Sequence, residues 1–103
     1  MAKQHYSVAL MQTLAIIIDI AKHPNRAKIE HDKNTVKVTY QEKNNTYKIT
    51  VNDDTITTQT EEIESHECGN FFTWTLYEFK KAKLDSSSRA MYNEIKEKIN
   101  KLI

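Results

Sequence analysis

TVKVTYQEKNNTYKITV, residues 35–51, decides the fold. Val36, Val38 and Tyr40 alternate with Thr35, Lys37, Thr39 and Gln41. After a turn at Lys43-Asn44-Asn45, Tyr47, Ile49 and Val51 alternate with Thr46, Lys48 and Thr50. Successive side chains of a strand point to opposite faces, so each run has one apolar and one polar face. The stretch predicts a β-hairpin with one wet face and one dry face, and the dry face needs a cover from elsewhere in the chain.

Two amphipathic segments supply that cover. In VALMQTLAIIIDIAK, residues 8–22, Leu10, Leu14, Ile17, Ile18 and Ala21 share one helical face, with Gln12 and Asp19 on the opposite side. His23-Pro24-Asn25 ends the helix, because a residue before proline is pushed out of helical geometry. Near the other end of the chain, Asp85-Ser86-Ser87-Ser88 offers N-cap oxygens, and Met91, Ile95, Ile99 and Leu102 form an apolar stripe beside the pairs Glu94–Lys98 and Glu97–Lys101.

Between the helices, a short strand is expected around Ala27 to His31. Asn52-Asp53-Asp54 turns the chain into the threonine-rich TITTQTE, residues 55–61. NFFTWTLYEFK, residues 70–80, reads as the strand at the centre of the sheet, with Phe72, Trp74 and Leu76 to one side and Phe71, Thr73, Thr75, Tyr77 and Phe79 to the other. The prediction is one α+β domain over residues 1–103: a two-layer sandwich in which an antiparallel sheet of four to five strands carries the N- and C-terminal helices on one face. The opposite face stays open, with Lys37, Lys48, Tyr77 and Phe79 expected on it.

The element order is similar in topology to the frataxin arrangement. Frataxins place an acidic ridge on the first helix and adjoining strand, whereas this chain has only Asp19 as an acid between residues 4 and 22.

A chain of 103 residues can bury one core and no more, and one Trp, five Tyr and three Phe are enough to pack it. One Gly and one Pro leave no glycine-rich phosphate loop. The net charge of +1 conceals a segregated pattern. Residues 22–48 and 80–103 are basic, whereas Asp53, Asp54, Glu61, Glu62, Glu64 and Glu67 fall in a stretch without Lys or Arg. A single cysteine excludes an internal disulfide and fits a reducing cytoplasm. The apolar residues 8–21 are too few and too polar to cross a bilayer, so no membrane role is expected.

Reactive side chains concentrate in EEIESHECGN, residues 61–70. His66 and Cys68 with Glu64 and Glu67 could be drawn as a zinc site, but no second ligand pair completes it, and no metal or other cofactor is expected. The four glutamates raise the pKa of a neighbouring thiol, which works against a Cys68 nucleophile, and no base or oxyanion donor can be named beside it. Gly69 suggests a positive φ or a bulge.

The expectation is therefore a non-enzymatic protein-binding module acting by occupancy, of the inhibitor, immunity, phage counter-defence or adaptor type. An acidic loop carrying Glu61, Glu62, Glu64 and Glu67 would meet a basic protein surface, with Tyr77 and Phe79 as aromatic anchors. The alternative is single-stranded nucleic-acid binding through Lys37, Lys48, Tyr77 and Phe79 on the open face. An exposed edge, expected at the threonine-rich strand, would also allow a homodimer by strand pairing.

Overall fold

The computed structural model describes the backbone of residues 2–42, 45–66 and 69–103, and the side chains of 7–42, 45–61 and 76–103. Helix α1 (Ala2–Lys22) leads through a 3-10 turn (Pro24–Arg26) into five strands: β1 (Ala27–Asp32), β2 (Thr35–Glu42), β3 (Asn45–Val51), β4 (Thr55–His66) and β5 (Gly69–Lys80). A second 3-10 turn (Lys81–Lys83) precedes helix α2 (Ser86–Leu102). The sheet is an antiparallel meander in the order β1-β2-β3-β4-β5. The expected α+β sandwich is the observed one, with five strands.

Short connections dictate the meander, since a strand that turns back after two or three residues can pair only with its predecessor. Lys33 and Asn34 join β1 to β2, where Asp32 faces Thr35, and Lys33 takes a φ of 45°. Asn52 closes the β3–β4 turn by donating its N–H to the Thr55 carbonyl at 2.8 Å. Residues 43 and 44 of the expected β2–β3 turn lie outside the described residues; Glu42 opposite Asn45 brackets them.

This order corrects two expectations. The threonine-rich β4 is paired on both sides and is not an edge, and the aromatic β5 pairs only with β4 and is not central. Hydrophobicity suggested a central place for β5, but chain connectivity sets position in a meander. Its phase is also reversed over the described side chains. Leu76 is 64% exposed whereas Phe79 is 1% exposed, because Phe79 lies opposite Ile56, and Tyr77 opposite Thr58, on the helix-covered side. The side chains of Phe71, Phe72, Thr73, Trp74 and Thr75 lie outside the described residues.

The core lies between the sheet and both helices. Val36, Val38 and Tyr40 from β2, Ile49 and Val51 from β3, Ile56 from β4 and Phe79 from β5 meet Leu10, Ile17 and Ile20 of α1 and Tyr92, Ile95 and Ile99 of α2. The α1 face that packs inward is Ala9, Leu10, Thr13, Ile17 and Ile20, rotated from the expected one, so that Ile18 and Ala21 are exposed. Thr13 is fully buried. Its hydroxyl donates to the Ala9 carbonyl at 2.8 Å and lies 3.0 Å from Thr58 Oγ1, so two buried threonines tie the helix to β4. The stripe expected on α2 faces inward, with Ile95 and Ile99 buried and Met91 and Leu102 half-buried. Its N-cap is Asp85, whose Oδ1 accepts from the Ser88 N–H at 2.9 Å. Ser7 and Ser88 hydroxyls, 3.2 Å apart, join the N-terminal halves of the two helices.

Candidate partner-binding surfaces

Glu61, Glu62 and Glu64 do not form a loop. They belong to β4, which continues to His66, and the β4–β5 ladder runs in uniform register from Thr55 opposite Lys80 to His66 opposite Gly69. No bulge interrupts the ladder at Gly69. Glu67 and Cys68 lie outside the described residues. Backbone hydrogen bonds between strands involve no side chain, so a segment rich in carboxylates can still pair as a strand.

β3 ends its pairing with β4 at Asn45 opposite Glu62. Past that point, among the described residues, Ile63, Glu64, Ser65 and His66 pair only with β5, so the hairpin extends as a two-stranded ribbon. The acidic segment thus straddles the root of this ribbon. Among the described residues no strand lies beside β5 on the side away from β4.

The open face is polar. Register aligns Glu30, Lys37, Thr50, Thr57 and Glu78 in one row and Lys28, Thr39, Lys48, Gln59 and Leu76 in the next. Lys37 and Lys48 are exposed there, and Glu61, half-buried, shares their face. Tyr77 and Phe79 do not. They stack on each other, centroids 6.2 Å apart, on the helix side. The four residues of the nucleic-acid reading are therefore split between two faces, and the aromatic anchors are separated from Glu61 by the thickness of the sheet. Phe79 is removed from the binding set altogether, because it is a core residue.

Tyr77 instead borders an open groove of about 460 Å³ between α1 and the sheet, shared with Gln12, Ile16, Asn45, Tyr47 and Thr60. Tyr40 lies deeper. Burial, and then the negative charge of Asp19, raise its pKa above the ordinary 10.0, and its hydroxyl donates to Asp19 Oδ2 at 3.4 Å. The described residues that line this groove carry hydroxyls and amides.

Among the described residues no group of three or more His, Cys, Asp or Glu could hold a metal ion, and no helix is long and apolar enough to cross a membrane. The side chains of Glu64, His66 and Cys68 fall outside that statement. No protein-family model matches the chain, and neither does any curated protein or solved structure.

Two surface features escaped the sequence reading. The open edge of β5 was hidden by its hydrophobicity, although four short connections in a row already implied that the last strand would be outermost. An exposed apolar stripe on α1, formed by Val8, Met11, Ala15 and Ile18, was legible as spacings of 3, 4 and 3, but it was overshadowed by the equally apolar residues around it.

Proposed function

We propose that this protein is a small non-enzymatic binding module of the inhibitor or adaptor kind, working in the cytoplasm by occupying a protein partner. The observation that carries the reading is the place of β5 at the end of the sheet: this strand of 12 residues, rich in aromatic and β-branched residues, has a strand neighbour on one side only among the described residues. An extended segment of a partner can add to such an edge as a sixth strand, main-chain hydrogen bonds giving affinity and alternate side chains giving selectivity. Glu61, Glu62 and Glu64 on the neighbouring β4, with Glu67 close to them in sequence, favour a partner with a basic surface and speed its approach. Proteins ordinarily blunt an edge with Pro or inward-pointing charge, yet residues 69–77 contain neither Pro nor any charged side chain.

The test is affinity capture from a lysate of the source, with and without nuclease, comparing the parent chain with Leu76→Lys and with the fourfold Glu→Lys variant at 61, 62, 64 and 67. A stoichiometric protein partner that survives nuclease and is lost from both variants, whose circular dichroism is unchanged, is the expected result. Capture that ignores both changes, or that disappears with nuclease, would sink the proposal.

A further inference from the structure

α1 is apolar on two opposite sides. With 100° between successive residues, Ala9, Leu10, Thr13, Ile17 and Ile20 cluster on the side facing the core, and Val8, Met11, Ala15 and Ile18 lie diametrically across from them. Val8 is 52%, Met11 59% and Ile18 38% exposed. A helix that is apolar all round is normally covered all round, and a two-layer sandwich covers one side only. The outer stripe repeats at the 3.5-residue spacing of a helix–helix seam.

We infer that this stripe is a homodimer interface, in which α1 packs antiparallel against α1 of a second copy. Three features favour a second copy as the occupant. From residue 7 to residue 18 the helix has no charged residue, so two stripes meet across a two-fold axis without repulsion and without a charge pattern that would select another partner. An antiparallel register that sets Met11 against Ala15 of the second copy sets Val8 against Ile18 as well, and the two-fold repeats both pairs, so the long Met11 meets the small Ala15, the branched Val8 and Ile18 meet each other, and the helix dipoles oppose. Gln12 and Asp19 border one side of the stripe and Ser7 and Leu14 the other, and residues 4 to 21 hold none of the Lys and Arg that seat an amphipathic helix on a lipid surface, Lys3 and Lys22 lying beyond the seam at either end.

From Val8 to Ile18 the seam is about 15 Å long. That is shorter than the seam of an obligate dimer, whose interfaces bury upward of roughly 1,000 Å² per partner, so the dimer is reversible. The assembly would be a sheet–helix–helix–sheet stack with both β5 edges free, so it does not depend on the partner-binding reading above.

Sedimentation equilibrium of the full chain over a wide concentration range, up to about the millimolar where weak pairs form, tests it. The expected result is a monomer–dimer equilibrium that Met11→Glu/Ile18→Glu weakens by at least about 100-fold, since each carboxylate would be buried without a partner. The same variant should keep the circular dichroism and melting profile of the monomer. Ala15→Arg, which fills the small side of each pair, provides a second disruption should the double variant misfold. Leu76→Lys on the β5 edge should leave the dimer intact. A chain that stays monomeric throughout, a dimer indifferent to the α1 changes, or a dimer broken by Leu76→Lys would overturn the inference. So would occupation of the stripe by a different protein in preference to a second copy.

Discussion

α1 and α2 rest on the same face of the same sheet, yet their outer sides are opposite in kind. α2 turns Arg89, Asn93, Glu94, Glu97 and Lys101 to solvent, whereas α1 turns out Val8, Met11, Ala15 and Ile18. The inner sides are alike, each contributing fully buried branched side chains to one core. Folding requirements explain the inner sides of both helices and the outer side of α2. They leave the outer side of α1 unexplained, because an exposed apolar stripe contributes nothing to an isolated monomer. The difference marks the outer side of α1 as the surface whose residue types the fold does not account for.

The comparison can be broken most forcefully from within. Tyr92 of α2 is entirely buried and its hydroxyl has no hydrogen-bond partner among the described residues. Tyr92→Ala should cost about 3–5 kcal/mol in denaturant unfolding through the cavity it leaves. Tyr92→Phe, which removes only the orphaned hydroxyl, should be neutral or stabilising by about 1 kcal/mol. Burial, and then the charge of Asp54, raise the Tyr92 pKa above 10.0. The phenol therefore ionises more readily in the unfolded chain. Stability should hold below pH 10 and fall as pH rises from there toward the folded-state pKa, and Tyr92→Phe should shallow that slope in melting curves taken across the alkaline range. A slope identical in the two proteins would mean that Tyr40 and other groups carry it.

On α1 the corresponding weak point is polar. Thr13→Val removes a hydroxyl that serves both Ala9 and Thr58, and should destabilise the fold by about 1–2 kcal/mol. Thr13→Val with Thr58→Val should recover much of the loss, since no buried hydroxyl is then left unpaired. Additive losses in the double variant would show that the two threonines do not act as a pair.

The smallest change sharpens the contrast at the helix ends. Asp85→Ala deletes the cap of α2 and should lower stability by about 1 kcal/mol, with Asp85→Asn retaining most of it. A loss well beyond that would point to Asp85 contacts other than the cap.

How much of this was legible in the sequence depended on contrast between faces. Residues 35–51 and α2 alternate or cycle sharply between apolar and polar, and there the faces and register follow from the pattern alone. α1 and β5 lack that contrast. Ile16, Ile17 and Ile18 give a helix no preferred side, and a strand with Phe71, Phe72, Trp74, Leu76, Tyr77 and Phe79 presents apolar groups in both phases, so tertiary pairing with Thr58 and Ile56 decided the matter. The acidic segment has the composition of a loop, yet residues 61–66 continue β4, because backbone pairing is indifferent to side-chain charge. The regions that sequence logic resolved least, α1 and the β4–β5 hairpin, are the ones that carry the candidate surfaces.

The contact between Ser7 and Ser88 joins helices whose contacting residues are 81 apart in the chain. During synthesis at about 5–20 residues per second, α1 leaves the ribosome roughly 4–16 s before its counterpart does. The meander can zip up strand by strand in that interval, but the core has no second helix to close it. For those seconds the inner side of α1 has only the growing sheet to rest on, and its outer side is left to the cell's chaperones.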